Sequence, residues 1–167
     1  QALTSFRKVF EDKKSMGIVG AGYSDYDADY IFDSIREFLE PGWAYGLKMQ
    51  VSHLGSMGGY GQMAQVLSML DAARAGGLDV MADCYPYDAF STRIGETTYD
   101  PGFLERYHCG YDAIGLCGGK YDGMRCTKEI FEELRGEHPE TITVGYVMQP
   151  EDVAMAMYHP AVMLCSD

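Results

Sequence analysis

Two strand-like runs end in residues able to do chemistry. Ser52 and His53 follow the apolar run 47–51, and Asp83, Cys84 and Tyr85 follow the run 78–82. A neutral imidazole at a strand end is a ready metal ligand, and it is equally able to hydrogen-bond only its neighbours. A cysteine binds metal once deprotonated, but free cysteines are among the most buried residue types, so Cys84 also reads as core. Tyr85 can donate a hydrogen bond to a substrate or to an oxyanion. Asp83 alternates to the other face from Cys84, which suits it to capping the adjoining helix rather than to joining the site. Further along, Ser91, Thr92 and Arg93 offer hydroxyls and a guanidinium fork suited to a carboxylate, or simply a turn.

For these groups to meet, two strand ends must share one rim. Between the runs, Met63, Val66, Leu67, Leu70 and Ala73 fall on one helical face. A strand–helix–strand crossover makes two parallel strands, and ligands gather at the carboxyl ends of such strands. His53 and the pair Cys84-Tyr85 are therefore expected on the same rim.

The rest of the chain continues the alternation. An amphipathic helix is predicted over 2–15, a weak glycine-rich strand over 17–23, and a helix over 28–40 that Pro41-Gly42 closes or kinks. After the central block, 93–100 reads as loop and Pro101 opens a short helix to His108. Residues 111–117 read as a strand. Thr127 is placed to cap a helix over 128–135, and 141–148 is the most β-like run. Pro150 starts a helix over 151–158, and 161–165 is the last strand. The pattern predicts one α/β domain over 1–167, with alternating strand–helix units and a parallel sheet.

The central block also carries a resemblance. QVSHLGSM, the helix ending in DAARAGGLDV, then ADCYPYDAFST, and finally HPAVMLCSD resemble the N-acyl-D-amino-acid deacylases (D-aminoacylases) of the metal-dependent amidohydrolase superfamily. The resemblance covers about residues 28–167, and Tyr-Pro-Tyr is its most specific part. It implies a piece of a TIM-type (β/α) barrel, zinc as cofactor in the complete enzyme, and an acyl amino acid as small-molecule substrate. Amide hydrolysis at neutral pH needs an activated water, a group to polarise the carbonyl and an acid for the leaving nitrogen; zinc supplies the first two. The resemblance assigns His53 a metal-binding role, leaves Cys84 as a further candidate ligand, and makes Asp167 the general base. Tyr85, Tyr87, Ser91 and Arg93 would face the substrate.

Departures from the family pattern bear on selectivity and on completeness. Gly55 stands where the family often has lysine, and Gly20 and Gly22 where it often has His-x-Arg. No His-x-His metal pair occurs anywhere, so the chain is expected to be a fragment that is inactive alone. Two other readings stay open. One is a non-enzymatic, homo-oligomeric α/β module, because a barrel lacking strands exposes sheet edges. The other is a hydantoinase-like or dihydroorotase-like cyclic amidohydrolase.

Composition narrows the partners. The 167 residues carry a net charge of −12, with a pI near 4.6. That argues against nucleic acid and anionic membrane surfaces, which need clustered Lys and Arg. Cys84, Cys109, Cys117, Cys126 and Cys165 make an odd set without C-x-x-C, which fits a reducing cytoplasm better than a zinc ribbon. His108, His138 and His159 read as surface or capping groups. Gly118-Gly119 is too short a motif for phosphate binding.

Overall fold

A computed structural model of the chain describes residues 17–19 and 30–166. The predicted helix at 2–15, the remainder of the 17–23 strand, Gly20, Gly22 and Asp167 lie outside the described residues. In chain order, β1 (Gly17–Val19) precedes α1 (Tyr30–Tyr45), β2 (Met49–Val51), the short α2 (Leu54–Gly58), α3 (Met63–Ala75) and β3 (Val80–Cys84). Next come β4 (Phe90–Arg93), α4 (Phe103–Arg106), β5 (Ile114–Cys117), α5 (Lys128–Glu137), β6 (Ile142–Gly145), α6 (Pro150–Met157) and β7 (Val162–Leu164).

The predicted parallel sheet is present, with strand order β1-β2-β3-β7 and every pair parallel. Its covered face follows from the apolar stripe read in the sequence. Met63, Val66, Leu67, Leu70 and Ala73 of α3 are all buried, and α3 packs on β3, whose Val80, Ala82 and Cys84 alternate inward. Each fully buried Met, Val or Leu among them contributes about 1.5–3 kcal/mol by leaving water.

Two local expectations need correction. Of the two outcomes expected at Pro41-Gly42, closing or kinking, closing does not occur: α1 runs on to Tyr45 with Pro41 inside it. Proline costs the helix one hydrogen bond, but the turn it disturbs is held by packing at the next residue. A Cβ on Gly42 would lie 2.7 Å from Met49 Cγ and 2.8 Å from Leu78 Cδ1, so the helix sits nearly in contact with β2 and the segment before β3. The second correction concerns 93–100. Ser91, Thr92 and Arg93 lie within β4, and a 3₁₀ turn occupies Thr97–Tyr99.

That strand belongs to a second sheet, which simple alternation does not foresee. β4-β6-β5 is three-stranded and antiparallel, with Ser91 opposite Val144 and Gly115 opposite the same residue. It is inserted between β3 and α6, while α6 itself completes the crossover to β7. Beneath it an aromatic cluster packs edge to face and in stacks, with Tyr99 and Phe103 5.5 Å apart and Phe103 and Phe131 5.2 Å apart. Buried Thr143 donates to Thr92 O at 2.8 Å and meets the Tyr99 hydroxyl at 2.9 Å, so its polar group is satisfied. Thr127 caps α5 as predicted, its Oγ1 accepting from Ile130 N, and Pro150 opens α6. Among the described residues no helix is long and apolar enough to cross a membrane.

Candidate functional site

The carboxyl ends of β2 and β3 lie side by side, since Val51 pairs with Ala82. His53, two residues beyond Val51, adopts the left-handed conformation with φ 41° and ψ 53°. For a residue with a Cβ this is uncommon and worth about 1–2 kcal/mol of strain, so something must hold it. Asp83 does so. Its Oδ1 accepts the His53 backbone N–H at 2.7 Å, and its Oδ2 accepts Gln50 Nε2 at 2.8 Å. The Cys165 thiol, one residue past β7, reaches the same Oδ1 at 3.3 Å.

The ring of His53 is oriented from the other side. Ser56 Oγ donates to His53 O at 2.9 Å and lies 3.1 Å from His53 Nδ1. When the hydroxyl proton is on the carbonyl, the ring contact is Nδ1–H donating to the hydroxyl lone pair; the direction of that contact depends on the tautomer. In that arrangement the Nε2 lone pair is the ring's remaining donor site for a cation.

The predicted site residues therefore divide. His53 is at the rim, and Asp83, which the sequence assigns to helix capping rather than to the site, is joined to it, with Gln50, Ser56 and Cys165 as partners that sequence reasoning does not single out. The expected helix cap is not formed: no side chain caps α2, and Asp83 instead accepts the backbone N–H of His53 before it. Contrary to the expectation of a rim shared with His53, Cys84 is on the opposite, helix-covered face of β3; it is 0% exposed, and burial pushes its thiol up. A Cβ on Gly55 would lie 3.0 Å from Cys84 Sγ, which shows how closely α2 covers it. Tyr85 is buried, with its hydroxyl 4.0 Å from Met148 Sδ, whereas Tyr87 is 60% exposed and 6.2 Å from it between ring centres. Ser91 and Arg93 sit on β4 of the inserted sheet, Ser91 donating to Thr143 O at 3.0 Å. The Gly118 N–H that a phosphate would need is taken by Asp122 Oδ1.

A catalytic zinc takes three protein ligands. Among the described residues no group of three or more His, Cys, Asp and Glu side chains is arranged to hold a metal ion. This part of the chain supplies one oriented imidazole and does not by itself make a zinc site.

No family model matches the chain, and no curated protein matches it. Solved structures do match its fold. An N-acyl-D-glutamate deacylase from Bordetella bronchiseptica, complexed with zinc and a phosphonate inhibitor that mimics the reaction's tetrahedral intermediate, aligns at TM-score 0.72 and 21% identity, covering 97% of this chain and 34% of that one. A D-aminoacylase described as defining a novel subset of amidohydrolases aligns at TM-score 0.66 and 20% identity, covering 90% and 32%. A D-aminoacylase structure concerned with the role of its binuclear metal center aligns equally well. The chain thus spans about a third of the length of these proteins. At such identities the likeness is one of fold, and it falls on the proteins that the sequence motifs resemble.

Proposed function

We propose that the chain is a segment of a zinc-dependent amidohydrolase that hydrolyses the amide bond of N-acyl-D-amino acids, and that the segment alone is not a catalyst. The observation that carries this reading is the junction of two family-like motifs. The histidine of Ser-His and the aspartate of Asp-x-Tyr-Pro-Tyr are joined at 2.7 Å on adjacent parallel strand ends, in a fold shared with a zinc-bearing deacylase. In this reading His53 is one ligand of a set completed by residues beyond those described. Asp167 is the general base, and the exposed Tyr87 and Arg93, with Ser91 and Tyr85, are substrate-facing candidates.

The test is elemental analysis of chelator-free purified chain beside His53→Ala, with a panel of N-acyl-D-amino acids offered to the chain and to a longer parent protein. The reading expects no turnover and little zinc from the chain, and D-selective hydrolysis from the parent. Turnover by the pure chain overturns the inactivity. A parent that opens cyclic amides instead favours the hydantoinase-like or dihydroorotase-like alternative.

A second reading, a self-associating module without activity, is favoured by one feature. Tyr158 after α6 and Leu164 on β7 are 90% and 69% exposed, and β7 pairs only with β3 among the described residues. Sedimentation of the chain as a clean monomer at high concentration removes that reading.

A further inference from the structure

The geometry points to Asp83 as the positioning residue of this site, a clasp that fixes the backbone of His53 and through it the tautomer and direction of its ring. The inference rests on the reading of His53 as a site residue only for its functional meaning; the clasp itself is a statement about geometry. Three donors converge on one carboxylate on β3. They are the His53 N–H just beyond β2, the Gln50 amide within β2, and the Cys165 thiol just beyond β7. The carboxylate therefore ties three adjacent strands of the parallel sheet at one end, and the Gln50 side chain, itself buried, fixes its plane.

What the clasp holds is a conformation that would otherwise relax. His53 has φ 41°, and the turn it makes is what brings Ser56, one helical turn on, against both its carbonyl and its Nδ1. If the His53 N–H loses its acceptor, the left-handed residue has no reason to stay there, and the Ser56 contacts that set the Nδ1–H tautomer go with it. Asp83 thus acts on the ring without touching it. A ligand histidine needs such an outer partner to fix its tautomer, and here the control passes through the main chain.

The experiment is nuclear magnetic resonance on the isotope-labelled full chain, comparing the native protein with Asp83→Ala, Asp83→Asn and Ser56→Ala. Two readouts are taken: hydrogen exchange of the His53 amide, and the ring ¹⁵N shifts that report its tautomer. In the native chain His53 is expected as the Nδ1–H tautomer with a protected amide. Asp83→Ala is expected to speed His53 exchange by about tenfold or more and to shift the ring to the tautomer mixture of free imidazole, while Val51 and Ala82 stay protected. Asp83→Asn keeps an acceptor, with the Gln50 amide turned over, and is expected to keep both signatures. Ser56→Ala should move the tautomer and leave the amide protected. A native-like His53 in Asp83→Ala, or loss of both signatures in a folded Asp83→Asn, overturns the proposal. If Asp83→Ala does not fold, Gln50→Leu frees the carboxylate plane instead; it should speed His53 exchange severalfold, and no change would overturn the clasp. None of these readouts involves zinc or turnover, so a clasp that holds in a protein that binds no metal separates this inference from the functional reading.

Discussion

The carboxylate of Asp152, in the first turn of α6, accepts the backbone N–H of Gly61 in the turn before α3. Asp152 is only 6% exposed, and Gly61 has φ 91°, so a buried acid anchors a turn that only glycine adopts without strain. Asp152→Ala leaves that N–H without its partner and should cost about 1–3 kcal/mol, read as a lower urea midpoint at unchanged slope. Asp152→Asn keeps an acceptor and should cost less.

His53 supplies a test of backbone strain. Glycine occupies the left-handed region freely, whereas alanine meets the same penalty as histidine and loses the ring contacts as well. His53→Gly should therefore be more stable than His53→Ala by about 1 kcal/mol in urea unfolding. Equal stability of the two variants would mean that the turn relaxes when the ring is removed.

Cys126 makes the chain sensitive to alkali. Burial pushes its thiol up to about 11 from 9.0. The unfolded chain releases this proton near pH 9 while the folded chain holds it to about pH 11, so the unfolded state binds fewer protons across that window and stability falls as pH rises. The loss is on the order of 2 kcal/mol by pH 11. Denaturant midpoints at pH 8 and pH 10.5 should diverge less in Cys126→Ala than in the native chain. Thiol labelling at pH 8 should take the exposed Cys117 well before Cys126 or Cys84.

Glu133 works in the opposite direction. The Tyr121 hydroxyl donates to its Oε2 at 2.7 Å and Lys120 lies 3.3 Å from Oε1, and these contacts, the tyrosine first, hold its carboxyl below the usual glutamate range. The stabilisation is present above the unfolded glutamate's own titration and is lost as pH falls through the lower folded value. Glu133→Gln should remove that part of the acid sensitivity, seen as a smaller drop in urea midpoint between pH 7 and pH 3.

The parts legible in the sequence were those written in local chemistry. The stripe from Met63 to Ala73, the Thr127 cap and Pro150 at a helix start each depend on a few neighbouring residues, and the structure has them where they were read. The antiparallel sheet was not legible, because β4 is four residues long and its Ser91-Thr92-Arg93 looks like turn chemistry until β6 pairs with it. At Pro41 the sequence leaves open whether the helix closes or kinks, and the contacts beside the proline come from Met49 and Leu78. Strand alternation separates Asp83 from Cys84, but the residue that meets His53 is Asp83, not the candidate ligand Cys84. Which of the two faces His53 depended on where α2 and α3 pack, and that is tertiary information.

The inserted sheet has a consequence for how the chain can fold and change. Its two ends are already close, since Met148 N donates to Asp88 O at 3.2 Å. The β3–α6–β7 crossover must close over everything between, and an unstructured connection there would lengthen the loop at an entropic cost that grows only slowly with its size. Because the insert pairs its own strands and packs its own aromatic rings, that closure reduces to docking two neighbouring ends. The register of the parallel strands that carry His53 and Asp83 is thus set by their own pairing, apart from the strands of the insert.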